Sequence, residues 1–236
     1  MSQLPASFLP ANEPERLHSV RAHDVLPTLI EPLFDAFVAL TAQVFGLPIS
    51  LIAVVEEDEV LYPANVGLPG HDRQPRAEAL CSTAIQKDRT VVYHDLAVET
   101  AAAVPTEALH AAQAHELRFY AGALLHLPDH SALGTLCIID RQPRTFSAAE
   151  QQVLDHLAAL VSQALAARLA CRARPAGDQQ WEQVCAHLHN ELRELTALVR
   201  YLFTRHGVQF PVPADLLAQV ERRLLELSHF LSEQPG

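Results

Sequence analysis

Short apolar runs recur along the chain between amphipathic stretches. Residues 49–55 and 133–139 are apolar at almost every position, which predicts strands buried on both faces. Residues 119–126 mix aromatic and small side chains and predict a strand that pairs with the 133–139 run as a hairpin. Two shorter strands are predicted at residues 60–65 and 90–94. The pattern predicts a sheet with a buried centre, and Gly134 would let a neighbouring backbone or a ligand approach one of its central strands.

Helices are predicted where apolar residues recur at steps of three and four. Ser147 precedes the longest of them and is followed three residues later by Glu150, which is the spacing of a capping box. Gly46 lies where a helix C-cap is expected. The predicted helices cover residues 13–22, 32–45, 76–86, 106–115 and 147–172.

The C-terminal third of the chain predicts a helical hairpin. Residues 173–178 include proline and glycine and predict a linker, and residues 179–236 carry two amphipathic helices around a turn at 207–213. Residues 1–12 have two prolines and no periodicity, and we expect them to be flexible. The hairpin's apolar stripes are formed by Val184, Leu188, Leu192, Leu195, Val199 and Leu202, and by Leu217, Val220, Leu224, Leu227 and Leu231.

Several segments occur in the order and spacing of a known family. FYAGALL, GTLCIID and PRTFS, preceded by GLPISLIAVVEEDEVLYPANVGLP, PRAEALCSTAI and VVYHDLA, resemble a GAF domain, a sensory module of bacterial signalling proteins. The resemblance covers about residues 13–169. It implies an α+β fold, with an antiparallel sheet of five or six strands flanked by helices and the 49–55 and 133–139 strands adjacent at its centre. It also implies a sensory role, but it does not identify a ligand, because function depends on the site rather than the fold.

Composition excludes several classes of function. The formal net charge of −11 disfavours binding to nucleic acid or to anionic membranes. No signal peptide or run of about 18 apolar residues is apparent, and the four cysteines form no CxxC pair. We therefore expect a cytoplasmic protein without disulfides or a membrane segment.

Cys81 is the first candidate site residue. It would either face the sensory pocket as a reactive thiol or serve as a small buried hydrophobic residue. In bilin-binding relatives a histidine closely follows the attachment cysteine, whereas here residues 82–84 are Ser-Thr-Ala. Methionine sulfoxide reductases of this fold need several cysteines near the pocket, and only Cys81 is predicted to lie there. The sequence thus predicts a free thiol without a chromophore, and no enzyme activity.

Four more residues are predicted to line the pocket or its rim. His94 and Asp95 end a strand, where they would either hold a ligand or, for Asp95, bond the local turn. Tyr120 and Phe119 point to opposite faces of their strand, and one of them should face the pocket. Arg118 would either meet an anionic ligand or extend into water at the sheet edge.

The 13 histidines do not predict a metal site, because His187 and His189 are two residues apart on a helix and point in different directions. His189 has an alternative role, since the surrounding residues resemble the phosphoacceptor helix of sensor histidine kinases. Asn190 stands where those helices have an acidic residue.

These observations predict a non-catalytic sensory module that binds a small ligand in the sheet pocket and signals through helical dimerisation. The alternative is a phosphotransfer protein in which His189 accepts phosphate from a separate kinase. The cofactor and any signalling partner are unknown. We expect a homodimer in which two hairpins form a four-helix bundle, and the rival is a monomer whose hairpin folds back onto its own domain.

Overall fold

A computed structural model describes residues 8–234. Its six strands form one antiparallel sheet in the order β3-β2-β1-β6-β5-β4. The strands are β1 (Ile49–Val55), β2 (Glu59–Val66), β3 (Arg73–Pro75), β4 (Val91–Tyr93), β5 (Phe119–His126) and β6 (Ala132–Asp140). The helices are α1 (Glu13–His23), α2 (Leu26–Leu29), α3 (Pro32–Phe45), α4 (Cys81–Lys87), α5 (Thr106–Ala114), α6 (Ala148–Arg172), α7 (Gly177–His206) and α8 (Ala214–Ser232). The predicted fold class is confirmed.

β1 and β6 are adjacent and central, as the resemblance implied. Ile49 pairs with Ile139 and Ala53 pairs with Thr135. Gly134 lies so close to β1 that a Cβ atom at this position would be 1.7 Å from the Ala53 carbonyl oxygen. The glycine is therefore required for the approach of two backbones.

Three local features differ from the sequence prediction. β3 lies in a segment predicted as loop, where it pairs with β2 for only three residues. The helix predicted at 76–86 is divided into a 3₁₀ turn at Arg76–Glu78 and α4. α2 is a single turn of helix with Pro27 in its first turn, too short to show periodicity.

The sheet separates two hydrophobic layers, and β6 contributes to both. Leu136 and Ile138 pack in the larger layer, which contains side chains of α3, α6, α7 and α8. Cys137 and Ile139 point to the other face and pack with side chains of α4 and α5. The alternation of a strand thus places neighbouring residues in different cores.

α6 joins the sheet to the C-terminal helices. Its capping box is formed as predicted, since Ser147 Oγ accepts from the Glu150 backbone N–H and the Glu150 carboxylate accepts from the Ser147 backbone N–H at 2.7 Å. Within the part of the chain described, α6 is the one helix long and apolar enough to cross a membrane by length and composition. Its apolar residues pack against β5, α3 and α8, as in a core helix.

α7 and α8 form the predicted hairpin. His187 contacts Phe230 with ring centroids 4.1 Å apart, and Arg223 Nη2 is 2.7 Å from Glu191 Oε2, so the two helices run antiparallel. The helix α7 begins at Gly177, within the predicted linker. A Cβ at Gly177 would lie 1.8 Å from the Cys171 carbonyl oxygen, so the connection is a tight corner.

The apolar stripes of the hairpin are buried within the chain. α7 packs on α3 and α6, and α8 packs on α6. This is the rival arrangement considered from the sequence, in which the hairpin folds back onto its own domain. The homodimer stays a prediction. The apolar stripes of α7 and α8 no longer support it, because they are already covered by the chain's own domain.

A buried charged cluster fixes α1 to the sheet. Arg16 donates to both Glu13 carboxylate oxygens at 2.8 Å and to the Val55 carbonyl at 2.9 Å, and Arg76 also donates to Glu13. Burial acts to raise the pKa of Glu13, but the hydrogen bonds and charges of the two arginines outweigh it and hold the pKa below its ordinary value.

Candidate functional site

A small cavity lies between the sheet and the α4–α5 layer. Its volume is about 40 Å³, which is room for a molecule of water size rather than for a ligand in the roughly 300–1,000 Å³ range of ordinary ligand pockets. Apolar side chains dominate its walls. Its lining includes Leu51, Tyr62, Leu68, His71, Leu80, Cys81, Ala111, Ala112, His115 and Tyr120.

Tyr120 is positioned by the strand that carries it. Its hydroxyl lies over Gly122 of the same strand, where a Cβ would be 2.3 Å from the Tyr120 oxygen. The Tyr120 and Tyr93 rings are tilted against each other with centroids 6.1 Å apart. Tyr120 is 1% exposed, and its hydroxyl has no hydrogen-bond partner of good geometry. Of the two side chains considered from the sequence, Tyr120 faces the cavity and Phe119 faces the larger core.

Two cysteines meet beside this cavity. Cys81 begins α4 and lines the cavity, and Cys137 projects from β6 on the same side of the sheet. Both are buried free thiols. Cys81 is thus the cysteine of the cavity wall, as predicted, and Cys137 packs in the same apolar layer next to it. The sequence does not predict this second thiol, because β6 is apolar on both faces and its pattern does not indicate which residues face the pocket.

The two thiols perturb each other's titration. Interaction with the Cys137 thiol lowers the pKa of Cys81 to about 7 against the opposing effect of burial, with help from the Thr135 and Tyr120 hydroxyls. The same interaction, together with burial, raises the pKa of Cys137 well above its ordinary value. Burial, and then the two sulfurs, raise the pKa values of Tyr62 and Tyr120. Among these four groups, Cys81 is the one whose pKa is lowered, so its thiol loses a proton most readily.

Two histidines lie at the mouth of the cavity. His71, from the β2–β3 connection, contacts His115 edge-on with ring centroids 4.8 Å apart. His71 Nδ1 is buried without a hydrogen-bond partner, whereas His115 is exposed. The sequence does not predict this contact, because a loop and the end of α5 bring the two residues together.

His94, Asp95 and Arg118 lie outside the cavity. Arg118 donates to both carboxylate oxygens of Asp95 at 2.8 and 2.7 Å, and Asp95 also accepts from the Ala97 backbone N–H at 3.0 Å. Arg118 lowers the pKa of Asp95, and Asp95 raises that of Arg118. Exposed His94 has its Nδ1 3.0 Å from the Arg144 carbonyl oxygen. Arg118 is thus paired with Asp95 and partly exposed, and ligand binding by His94, Asp95 and Arg118 stays a prediction.

His189 is half-buried on α7. Its Nδ1 lies 3.1 Å from the Cys185 carbonyl oxygen of its own helix, and Asn190 donates to Glu194 at 3.0 Å. Phosphorylation of His189 stays a prediction. Among the residues that the structure describes, no three His, Cys, Asp or Glu side chains are grouped to hold a metal ion.

Comparison with known proteins identifies the fold. The model of the GAF domain matches residues 30–165. This chain belongs to the GAF domain family. GAF domains are signalling and ligand-binding modules, so the predicted family and the general sensory class are confirmed.

Individual relatives are more distant. The cyclic di-GMP phosphodiesterase PA2567 of Pseudomonas aeruginosa is 28% identical over 209 residues, which is 86% of this chain and 33% of that protein. The chain therefore spans about a third of this curated relative. The blue-light absorbing form of the PixJ GAF domain of Thermosynechococcus elongatus has a TM-score of 0.50 at 17% identity, covering 70% of this chain and 95% of the other. A free methionine-R-sulfoxide reductase of Neisseria meningitidis, solved with its substrate, has a TM-score of 0.48 at 19% identity, covering 68% and 89%.

Proposed function

We propose that this GAF protein is a non-catalytic sensory module that admits a small molecule to the cavity beside Tyr120 and Cys81. The signal is passed across the sheet to the layer of α6, α7 and α8. The observation that carries the proposal is the cavity itself, which lies between the sheet and the α4–α5 layer and has the titratable side chains of Cys81 and Tyr120 in its wall.

The small volume limits the signal molecule. A cavity of about 40 Å³ accepts only a molecule little larger than water unless the mouth opens. Opening would separate His71 from His115, whose contact joins the β2–β3 connection to α5. The proposal therefore assigns these two histidines to the entrance, and a larger ligand would have to displace them.

A direct link joins the sheet side to the hairpin. Arg144 lies with its guanidinium carbon 4.4 Å from the ring centroid of Phe210, in the hairpin turn. Glu150 is fully buried, accepts from Arg144, and also accepts from the Val212 backbone N–H at 3.1 Å. A shift at the start of α6 would thus reach the hairpin turn without crossing solvent.

The downstream partner is proposed from similarity. PA2567 is named for cyclic di-GMP hydrolysis, and this chain matches only about a third of it. We assign to the present chain the regulatory part of such a system, acting on a phosphodiesterase partner. The alternative, in which the cavity itself binds the dinucleotide, disagrees with its volume.

The test is native mass spectrometry of the full chain purified from cells, with an absorption spectrum of the same sample. We expect a colourless protein with a small bound mass that is lost on denaturation. Ala111→Phe places a large side chain in the cavity wall, so it should fill the cavity and abolish the bound mass. Ala114→Phe, on the exposed end of the same helix, should leave the bound mass unchanged. A bound mass unaffected by Ala111→Phe would place the ligand elsewhere, and visible absorption would contradict the absence of a chromophore.

The homodimer is part of the proposal and is supported by exposed apolar side chains near the hairpin turn. Tyr201, Val208 and Phe210 are 57%, 52% and 53% exposed. Light scattering should give twice the mass of one chain at micromolar concentration. Replacing all three with serine should give a monomer, and a monomeric wild-type protein would remove dimerisation from the proposal.

A further inference from the structure

A pair of thiols lies beside the cavity, and the sensory function described above does not need it. Cys81 and Cys137 are 3% and 0% exposed, and they belong to different elements, α4 and β6, which pack directly on each other. A pair of structural cysteines would need only apolar neighbours. These two also have the hydroxyls of Tyr120 and Thr135 beside them.

The surrounding hydroxyls are not satisfied by other partners. Tyr120 Oη and Thr135 Oγ1 are both fully buried and have no hydrogen-bond partner of good geometry. The same two hydroxyls help to lower the pKa of the Cys81 thiol. Uncompensated buried hydroxyls are costly in a core and suggest that they serve a group or a molecule at this place.

We propose that Cys81 and Cys137 are a peroxide-reactive dithiol that is converted to an intramolecular disulfide by hydrogen peroxide entering the cavity. The inference rests on the proposed function, because it takes this cavity as the site where the signal molecule acts. It deepens that function by naming the signal as a small hydroperoxide. The volume of about 40 Å³ fits hydrogen peroxide, which has two heavy atoms, and excludes bulky oxidants.

The chemistry is balanced without a further reactant. The Cys81 thiolate attacks one peroxide oxygen, the O–O bond breaks, and the leaving hydroxide takes a proton to become water. Cys81 is then a sulfenic acid. The Cys137 sulfur attacks the Cys81 sulfur, the S–O bond breaks, and a second water leaves as the S–S bond forms. Two thiols are oxidised by two electrons, and one peroxide is reduced to two waters.

The neighbouring residues assign an order to the two cysteines. Cys81 lines the cavity, whereas Cys137 is not part of its wall and lies in the central strand. Cys81 is therefore the thiol that a peroxide molecule meets first, and Cys137 is the resolving thiol. The Tyr120 and Thr135 hydroxyls can donate to the leaving oxygen.

The experiment uses the reduced full chain treated with hydrogen peroxide, then blocked with N-ethylmaleimide under denaturing conditions. Intact mass should show four blocked cysteines before treatment and two after it. Trypsin should release peptides 77–87 and 119–141 as one cross-linked species that dithiothreitol separates. A product with four blocked cysteines, or with any other pair joined, would overturn the proposal.

Variants separate the two steps. Cys137→Ser should stop at a Cys81 sulfenic acid that dimedone captures, and Cys81→Ser should lose the reaction at position 137 as well. Cys171→Ser removes a buried cysteine from the opposite core and should react as the wild type does. Equal loss of reaction in all three variants would indicate a general folding effect, and the wild-type peptide map then decides alone. A chain that carries a bound small molecule but forms no disulfide would refute the dithiol and leave the proposed sensory function intact.

Discussion

Replacing Glu150 with alanine tests how strongly the hairpin is joined to the sheet domain. Glu150 is 0% exposed and its carboxylate accepts from four donors: Arg144, the Val212 N–H, and the Ser147 N–H and hydroxyl. Its removal leaves the Arg144 guanidinium, 4% exposed, without its carboxylate. Breaking a buried ion pair from one side costs about 3–5 kcal/mol, and losing half of a capping box costs about 1 kcal/mol more.

The expected loss in the free energy of unfolding is therefore about 4–6 kcal/mol, a large part of the roughly 5–15 kcal/mol of an ordinary domain. Urea denaturation followed by circular dichroism measures it. The matched control is Glu191→Ala, which removes a partly exposed ion pair with Arg223 and should cost less than about 1 kcal/mol. Hydrogen exchange at the Val212 amide should accelerate in Glu150→Ala and not in the control.

The double variant Arg144→Met/Glu150→Met completes the test. It removes both charges at once, so it should be more stable than Glu150→Ala, within about 2 kcal/mol of the wild type. The remaining cost is the loss of the hydrogen bond from Arg144 to the Phe45 carbonyl at 2.6 Å, together with the bonds that Glu150 accepts from Val212 and Ser147. If Glu150→Ala lowers the free energy of unfolding no more than Glu191→Ala does, the Arg144–Glu150 ion pair does not hold the hairpin. The proposed link from the start of α6 to the hairpin turn is then wrong.

Three further outcomes are expected. Gly134→Ala should lower the free energy of unfolding by at least about 3 kcal/mol because neither backbone can move away, whereas Gly70→Ala, with nothing within 4 Å of the added carbon, should cost only about 1–2 kcal/mol of backbone strain. The folded-state pKa of Glu13 is below its ordinary value of 4.5, so the stabilisation by this carboxylate is complete above pH 4.5 and is lost as the pH falls through the lower, folded value. The stability difference between wild type and Glu13→Gln, measured by urea denaturation, should therefore shrink below pH 4.5, and a constant difference would contradict the assignment. Isothermal titration with cyclic di-GMP should give no heat of binding, and a measurable affinity would show that the cavity opens far beyond about 40 Å³.

The central features of the fold could be predicted because local sequence determines them. The apolar runs of β1 and β6, the capping box at Ser147 and the C-cap at Gly46 each depend on a few consecutive residues. Their arrangement as neighbouring strands came from the family resemblance and not from the runs themselves.

Contacts between distant segments could not be predicted in the same way. Arg144 pairs with Glu150 although Asp140 is nearer to it along the chain, and Asp140 instead accepts from the Gln142 backbone N–H at 3.2 Å. Likewise Asp95 pairs with Arg118, which is 23 residues away. Such pairs depend on the angle at which elements meet, and charge alone leaves several partners open.

The position of Cys137 explains how chemistry in the cavity could act on the helices. Leu136 and Ile138, its neighbours in β6, point into the opposite core, where they pack in the layer shared by α6, α7 and α8. Joining Cys137 to Cys81 would restrain β6 against α4, and β6 cannot shift without moving these two side chains. β6 is central and hydrogen-bonded to a strand on each side, so it cannot detach from the sheet as an edge strand could. The strain introduced by the disulfide would therefore change the side-chain packing. A disulfide on one face of the sheet would therefore alter the packing of α6 on the other face, and hydrogen exchange of the α6 amides before and after peroxide treatment would measure that change.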